Sequence, residues 1–465
     1  RSPLEPHAGD ITFFNHTGEI MEGDGAQDNA VVSYGIRLNI KTYPEGHQGH
    51  LLTSPPPGYV KQDYEASAYS ASPSMPNRKA EMNANPVGNE MQGINWVWPE
   101  ASREERRRLY GIYRDHALGF LYFTQQERGL RHVGLPDDEF VDNGNIPYRV
   151  FVREARRIVG EATMTEADIN PFLAGNGLIP PRRSDSVAIG HYPIDSKPTR
   201  PKTDLSRPDK GNGDFYLVNA SQPFQVPFGA LVPKRVDGLL VPAAMSATHV
   251  AFSSIRMDPT WVVMGQAAGI AAVVSIREKT AVRDTPVDKI QRALLAQKLK
   301  LFFYWDLPAT HPAFTAVQWL SARQVIGGYP DRLFRPDQNL TRAELASLMV
   351  RAFHLWPSVS EIHFTDVPYT HWAFRDIETL FDNRALEAFG VKPLWPTAGG
   401  YNAKEHAGFR NHHHNRFGEF RPAQAVTGAE FNAVVEKLSG RKPGLPPDEA
   451  VTRGAASIAL AALGI

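Results

Sequence analysis

The first 300 residues alternate between segments with apolar positions at helical spacing and segments with strand-like spacing. Helical spacing predicts a long amphipathic helix over roughly 102–128, where Ser102 is a plausible N-cap and Glu105 completes a capping box. Further helices are predicted at about 148–159, 259–278 and 286–299, and strands at 30–40, 215–218, 229–232 and 238–242. The expected fold class is therefore α+β, with a mixed sheet covered by helices.

The predicted helix at 259–278 is unusual because small residues dominate it. No residue from Pro259 to Ile276 is charged, and Gly265 and Gly269 form a G-x-x-x-G pair, a close-packing device in membranes. A membrane span, however, needs about 20 strongly apolar residues. Gln266 lies near the centre of this run, and its alanines add little hydrophobicity. We therefore expect no membrane span, and a buried helix packed closely against another group.

Beyond residue 305 the pattern repeats. The stretch "FRPDQNLTRAELASL" (334–348) resembles "FRPAQAVTGAEFNAV" (420–434), and "LPPDEAVTRGAASIA" (445–459) is a weaker copy. In each copy a Pro lies five residues before a Thr, and an apolar helix follows. The predicted N-caps are Thr341, Thr427 and Thr452, with capping boxes closed by Glu344 and Glu430 and lost at Ala455.

Composition excludes several classes of function. The 50 basic residues balance the 50 acidic ones, which does not favour a nucleic-acid partner. The chain has no cysteine, so disulfides and thiolate metal sites are excluded. His412, His413 and His414 are adjacent in a predicted loop and cannot easily converge on one ion, so no metal site is expected.

The repeats resemble S-layer homology repeats, through 316–353 with its T-R-A-E quartet, and through 364–381 with its His-Trp-Ala signature continuing to 438. A partial copy covers 445–465, and a mainly helical repeat domain over 305–465 is implied. Such repeats usually pack in threes and often anchor bacterial surface proteins to cell-wall glycan. The implied glycan-binding residues are Arg342, Trp372 and Arg453. Two departures, Gly428 in place of the quartet's Arg and an insertion at 393–416, put the anchoring in doubt more than the fold.

The stretch "VDGLLVPAAMSATHVAFSSIRMDPTWVVMGQAAGIAAVV" (236–274) resembles the C-terminal flavin-binding segment of glutathione-reductase-like FAD-dependent oxidoreductases. Further matches lie at 75–102, 134–161 and 185–198, and Lys197 stands where many relatives have His. The resemblance implies FAD, with a strand at 238–241 leading to a helix whose amino end faces the flavin. Helix-on-helix packing is the alternative reason for the small residues. The implied cofactor-binding residues are Ser246, Thr248, Pro259, Gly265, Gln266, Ala267, Ala268 and Gly269.

Candidate chemistry follows from residue types. His249 and Arg256 lie in the approach to the flavin helix, where a His can move a proton and an Arg can orient a substrate. Structural roles for both remain open. Candidate substrate-binding residues are Arg153, Arg156 and Arg157 on one face of the predicted 148–159 helix, and, more weakly, His191 and Tyr192. The alternative for the arginines is pairing with Glu154 and Glu161.

Members of this family are expected to carry the dinucleotide-binding fingerprint G-x-G-x-x-G, and we do not find it in this sequence. "GDGAQD" (23–28) has Asp28, and "GNGLIP" (175–180) has Pro180, where the third Gly belongs. We expect residues 1–304 to be the C-terminal portion of a flavoprotein body. No signal peptide begins the chain. The expected function is a cell-surface FAD-dependent oxidoreductase acting on a small molecule, or alternatively a non-catalytic surface protein held by its repeats.

Overall fold

The protein is described from a computed structural model of its 465 residues. The structure describes residues 31–465 except 49, 66, 70, 72–74, 84–88, 175–176, 198–214, 360–361 and 391–417, together with the backbone of 13–14 and 20–21. The histidines 412–414, the insertion at 393–416 and the stretch 23–28 lie outside the described residues.

Helices are distributed along the whole described chain. The α-helices are α1 (Gln62–Glu65), α2 (Arg103–Gln126), α3 (Glu166–Ile169), α4 (His249–Ile255), α5 (Asp258–Glu278), α6 (Val287–Ala296), α7 (Phe314–Ala322), α8 (Arg342–Ala352), α9 (Phe374–Asp382), α10 (Gly428–Ser439) and α11 (Arg453–Ala462). Short 3₁₀ helices cover Pro76–Arg78, Ile94–Glu100, Val141–Asn143, Phe228–Leu231, Val282–Asp284 and Glu387–Phe389. The predictions at 102–128, 259–278 and 286–299 are confirmed as α2, α5 and α6.

The strands are short and form small separate sheets. They are β1 (Phe13–Phe14), β2 (Ile20–Met21), β3 (Tyr34–Gly35), β4 (Asn39–Thr42), β5 (Lys79–Glu81), β6 (Glu90–Met91), β7 (Val133–Gly134), β8 (Ser186–Gly190), β9 (Ile194–Ser196), β10 (Phe215–Leu217) and β11 (Phe224–Pro227). The pairings are β1–β2, β3–β6, β5–β4–β7, β8–β11 and β9–β10. The α+β class is confirmed, but the described strands form separate small sheets in place of the expected mixed sheet. The predicted strand at 30–40 is divided between β3 and β4.

The described residues group into two compact units. One contains those of Arg1–Pro180, Gly190–Pro223 and Gly229–Gly265. The other contains those of Pro181–Ile189, Phe224–Phe228 and Gln266–Ile465. The predicted domain boundary between residues 304 and 305 rests on the resemblance to two families, and it stays a prediction.

The core of the first unit forms where α2 meets β3 and β4. Tyr34, Ile36, Leu38 and Ile40 are all buried, which is the period of two expected for one face of an extended chain. Leu109, Tyr113, Ala117 and Phe120 are buried at the helical period along α2. Ser102 caps this helix by accepting a hydrogen bond from the Glu105 amide at 3.1 Å, as predicted.

The predicted helix at 148–159 is wrong. Residues 152–159 form neither helix nor strand, and the backbone amides around them bond to distant segments. Phe151 donates to the Gly35 carbonyl at 2.7 Å, and Ile158 donates to the Ala244 carbonyl at 3.0 Å. Because these tertiary partners satisfy the backbone, helix propensity does not decide the local structure. The three arginines therefore do not share a helical face.

The predicted strands at 229–232 and 238–242 are also wrong. Phe228–Leu231 is a 3₁₀ helix, and the Gly229 carbonyl accepts the Ala162 amide at 3.1 Å. Gly238 adopts a left-handed backbone with φ of 68°, which interrupts an extended strand. The strand implied at 238–241 is therefore absent, although the Val241 amide bonds to the Leu231 carbonyl at 2.9 Å. The prediction at 215–218 is confirmed as β10.

In the second unit, Gln318 of α7 clamps the segment that precedes the repeats. Its side-chain oxygen accepts the amides of Leu301 and Phe302, each at 2.8 Å, and its amide donates to the Phe302 carbonyl at 3.0 Å. The Leu301 carbonyl in turn accepts Ser186 of β8 at 2.9 Å and Gln225 of β11 at 3.0 Å. A network of buried hydrogen bonds therefore joins α7 to the β8–β11 sheet.

The three repeat copies close into a ring. The amide of Leu340 donates to Val451, that of Val451 to Val426, and that of Val426 to Leu340, at 2.7 to 2.8 Å. A helix follows each of these residues, and the capping threonines are confirmed at all three starts. Both predicted capping boxes are present, and the third helix has a cap without a box. The short third copy thus supplies the third helix and the backbone hydrogen bonds that close the ring.

Candidate functional site

A buried carboxylate, imidazole and hydroxyl lie in one hydrogen-bonded line. His249 begins α4, Ser196 ends β9, and Glu154 lies on the extended segment that was predicted to be helical. The His249 Nδ1 lies 2.8 Å from Glu154 Oε2, and its Nε2 lies 2.7 Å from Ser196 Oγ. All three side chains are buried. Three distant segments therefore converge on one imidazole.

Charge around Glu154 keeps its carboxyl ionised. Burial acts to raise the pKa of Glu154, but the positive charge of Arg157 and the bonds from His249 and Arg157 outweigh it. The pKa of Glu154 therefore lies well below its usual range. An ionised carboxylate only accepts hydrogen bonds, so His249 donates from Nδ1 and Nε2 is free to accept. The Arg157 Nε also donates to the Ala247 carbonyl at 2.7 Å.

Arg256 lies at the other end of α4 and pairs with Asp195, the residue before Ser196. Its Nη2 is 3.0 Å from the Asp195 carboxylate and 2.9 Å from the Asp195 carbonyl. Lys197 lies 3.3 Å from the same carboxylate. Burial and the charge of Asp195 raise the pKa of Tyr192, which is thus an un-ionised phenol in this cluster. His249 and Arg256 therefore both contact β9, and Tyr192 lies just before this strand, while His191 is exposed.

The candidate arginines 153, 156 and 157 have separate environments. Arg153 is fully buried and forms an ion pair with Glu90, which also accepts the Ser33 hydroxyl at 2.6 Å. Arg157 pairs with Glu154, and Arg156 is exposed and bonds Glu100 at 3.1 Å. The predicted alternative of pairing with Glu154 is therefore seen for Arg157, whereas Arg153 pairs with Glu90, a distant residue that the sequence did not indicate. Substrate binding by any of the three stays a prediction.

The implied cofactor-binding residues divide into two groups. Ser246 and Thr248 are buried and already engaged: Ser246 Oγ lies 2.8 Å from Thr163 Oγ1, and Thr248 caps α4 by accepting the Ala251 amide. Pro259, Gly265, Gln266 and Gly269 are exposed on α5, while Ala267 and Ala268 are buried. A Cβ added at Gly265 or Gly269 would find no atom within 4 Å.

The exposed face of α5 therefore has room for a flat group, which fits an isoalloxazine ring approaching the backbone. Val262, Val273 and Ile276 continue the same face and are exposed as well. Ser246 and Thr248, by contrast, are buried and already bonded to protein groups. Gly265, Gln266 and Gly269 on this face stay the predicted FAD contacts.

The implied glycan-binding arginines are buried within the ring of repeats. Arg342 donates to Glu430 at 2.5 Å and to the Phe420 carbonyl at 2.8 Å. Arg453 donates to Glu344 at 2.8 Å and to the Phe334 carbonyl at 2.9 Å. Trp372, by contrast, is 65% exposed. The arginines thus hold neighbouring repeats together, and of the three candidates Trp372 alone presents an open surface.

Two of the predictions are that the chain has no metal site and no membrane span. Within the described ranges, no group of three or more His, Asp or Glu side chains is placed to hold a metal ion. Over the same ranges, α5 has the length and composition of a membrane-crossing helix, a test that core helices of soluble proteins also pass. The expectations of no metal and no membrane span stay predictions.

Sequence reasoning missed Ser196 and did not assign Glu154 a role beyond pairing with arginine. Ser196 has no local signal, because a serine at the end of a three-residue strand is unremarkable. Glu154 and His249 are 95 residues apart, and no sequence spacing places them together. Glu90 was missed for the same reason.

Comparison with known proteins gives two family matches. A family model described as FAD dependent oxidoreductase matches residues 6–294. An S-layer homology domain model matches residues 304–346.

Two curated relatives come from Acetivibrio thermocellus. A cellulosome-anchoring protein is 40% identical over 68 residues, which is 14% of this chain and 15% of that protein. Cell surface glycoprotein 1 is 33% identical over 87 residues, 17% of this chain and 4% of that protein. The chain therefore spans only a small part of the length of the curated relatives it matches.

Proposed function

Because the chain belongs to the FAD-dependent oxidoreductase family over residues 6–294, we propose that it takes part in flavin-dependent oxidation of a small organic molecule at the bacterial cell surface. When bound, FAD supplies the hydride acceptor. The observation that carries the proposal is the open face of α5, where Gly265 and Gly269 leave space beside the backbone. The family match supports FAD as the ligand of that space.

The chain's own residues supply proton chemistry and orientation. His249 is held by Glu154 with Nε2 available as a base. Arg256 is anchored by Asp195 beside it and is positioned to orient a carboxylate or a hydroxyl. Substrate would be taken in this polar cluster around β9, with Tyr192 and the arginines 153, 156 and 157 as the remaining candidates.

We assign the surface location to the repeats. Matches to an S-layer homology model and to two anchoring or surface proteins support attachment to cell-wall glycan through residues 305–465. Trp372 is the candidate contact, because an exposed aromatic ring offers a flat apolar face. The domain division at 1–304 and 305–465 belongs to the same proposal.

A second candidate function is a non-catalytic wall-binding protein. The buried hydroxyls of Ser246 and Thr248 favour it, because both are already bonded to protein groups, Thr163 and the Ala251 amide. An absorption spectrum of the purified gene product after gel filtration with added FAD separates the two functions. Flavin bands that remain with the protein support the oxidoreductase, whereas a protein that retains no flavin but binds purified cell walls supports the second candidate.

A further inference from the structure

We propose that the first repeat is docked onto the oxidoreductase part of the chain, meaning the residues up to 294, and that the two unfold as one cooperative unit. The repeats are then not a detachable anchor. The oxidoreductase residues concerned are 181–189, 224–228 and 287–294, which belong with the repeats to one compact unit. This inference goes beyond the proposed function and holds whether or not the chain binds flavin.

The first two repeats are built alike, so their surroundings can be compared position by position. Asp306 and Asp366 each accept the two backbone amides that precede the proline of their repeat, at 2.6 to 2.9 Å. The two aspartates therefore occupy equivalent positions. Counted from these aspartates, Trp319 of the first repeat corresponds to Thr379 of the second.

In the second repeat, this position contacts the segment that precedes the repeat in the chain. Thr379 Oγ1 accepts the amide of Ser358 at 2.9 Å, and the Ser358 hydroxyl donates to Asp382 at 2.6 Å. Ser358 lies between α8 and α9, on the stretch that leads from the first repeat into the second. By the same arrangement, the equivalent face of the first repeat is the one that should contact the oxidoreductase part.

Trp319 makes that contact in the first repeat. Its ring is 4% exposed, and the guanidinium of Arg292 on α6 lies 3.9 Å from the ring centroid. The guanidinium of Arg323 lies 4.9 Å from the same centroid. Cations over an aromatic face are attracted to it, so the interaction holds α6 against α7. The position that is a threonine in the second repeat thus carries a large ring where the oxidoreductase part is the neighbour.

Arg182 makes a second contact, with the loop that follows α7. Its Nη1 donates to the Ile326 carbonyl at 3.3 Å, and its guanidinium atoms lie 1.9 to 2.4 Å from where a Cβ on Gly327 would be. Only glycine leaves room for this approach. The carbonyls on either side of Ile326 accept Arg351 and Arg453, each at 2.8 Å. An arginine of the oxidoreductase part therefore joins two arginines of the repeats on one stretch of backbone.

Buried hydrogen bonds connect the β8–β11 sheet and α6 to the chain just before the first repeat. The Leu301 carbonyl accepts Ser186 at 2.9 Å and Gln225 at 3.0 Å. Gln291 of α6 is 3% exposed, and its side-chain amide donates to the carbonyls of Ser184 and Ser186 at 2.7 and 3.0 Å. Because unpaired buried polar groups cost free energy, these elements cannot separate without several such losses.

The contacts make folding of the repeats conditional on folding of the oxidoreductase part. An opening of this interface exposes buried groups on both sides, so the two sides open together as a cooperative unit. The ring of repeats closes through backbone bonds among Leu340, Val426 and Val451, and losing the first repeat removes Leu340 from all of them. A chain whose oxidoreductase part fails to fold therefore lacks the folded ring as well.

Hydrogen exchange at single amides of the full chain tests this coupling. Gln291→Leu removes the two bonds from α6 to residues 184 and 186, all of them within the oxidoreductase part. We expect exchange at the Leu340 and Val426 amides of the ring to accelerate about 10- to 100-fold. The Phe228 amide, which donates within the oxidoreductase part at 2.9 Å, should accelerate by the same factor.

The matched control is Lys289→Gln on the same helix. It removes a partly exposed ion pair with Glu278, and it should change exchange at none of these amides. The reverse experiment perturbs the repeats instead. Arg342→Ala leaves Glu430 buried without its cation, and the Phe228 amide should accelerate by the same factor as the Val426 amide.

Two results would overturn the proposal. Ring amides that keep wild-type protection in Gln291→Leu, while the Phe228 amide accelerates, mean that the oxidoreductase part opens alone. A Phe228 amide that keeps wild-type protection in Arg342→Ala means that the repeats open alone. If Gln291→Leu does not fold, the Arg342→Ala result decides. A chain that retains no flavin contradicts the proposed function and leaves these measurements unaffected.

Discussion

Arg342 in the first repeat forms a buried ion pair with Glu430 in the second, at 2.5 Å. Arg453 in the third repeat pairs in the same way with Glu344 in the first, at 2.8 Å. The ring would close with a pair between the residue after Thr427 and the third helix residue after Thr452. Those positions are Gly428 and Ala455, so neither partner of a third pair is present.

Breaking one of the two remaining pairs should destabilise the repeats strongly. Arg342→Ala leaves Glu430 buried without its cation, which typically costs about 3–5 kcal/mol. Urea unfolding followed by tryptophan fluorescence measures this loss. Glu419→Gln is the control, since it removes the exposed partner of Arg421 and should cost under about 1 kcal/mol. Equal effects of the two substitutions would contradict the structural role assigned to Arg342.

Adding a side chain at position 428 should lower the stability of the fold. A Cβ on Gly428 would lie 1.8 Å from the Pro446 carbonyl oxygen, which is backbone and cannot move alone. Gly428→Ala should therefore cost about 1–3 kcal/mol or more, seen as a lower melting temperature. Ala429→Ser at the next, exposed position should shift stability by under about 0.5 kcal/mol. A Gly428→Ala protein as stable as wild type would show that the contact relaxes freely.

Removing the side-chain amide of Gln318 should make the backbone amides of Leu301 and Phe302 more accessible to hydrogen exchange. Gln318→Leu leaves the amides of Leu301 and Phe302 without a partner, and each lost buried bond costs about 1–3 kcal/mol. We expect hydrogen exchange at these two amides to accelerate before global unfolding. Gln297→Ala removes an exposed side-chain contact with Gln266 and should leave both amides protected. Unchanged protection in Gln318→Leu would mean that other groups hold the segment.

The ionised state of Glu154 predicts how stability depends on pH. Its pKa is lowered in the folded protein, so the unfolded chain binds more protons in acid. The stabilisation is present above the unfolded pKa of about 4.3 and is lost as pH falls through the folded value. Urea midpoints at several pH values below 6 should fall more steeply for wild type than for Glu154→Gln. Parallel curves would contradict the lowered pKa.

Local signals predicted the parts of the fold that depend on neighbouring residues. Helix caps and apolar spacing depend on residues only a few positions apart, so both could be predicted from the sequence. These features are the caps at Ser102, Thr341, Thr427 and Thr452 and the apolar spacing of α2. The segment around Arg153 was misassigned because its backbone partners are Gly35 and Ala244, far away in sequence. Spacing also could not reveal that Glu154 and Ser196 meet at His249.

The central claim is that the small residues on α5 leave room for FAD. One substitution tests this claim without an expected loss of folding stability. Gly269→Leu adds a side chain in open space and replaces a poor helix former, so the folded chain should be at least as stable. Flavin retained through gel filtration should nevertheless fall to near zero, because the side chain occupies the ring's place. Gly111→Leu on α2, where an added Cβ also meets nothing within 4 Å, is the matched control and should retain flavin like wild type. A Gly269→Leu protein that retains as much FAD as wild type would contradict the account.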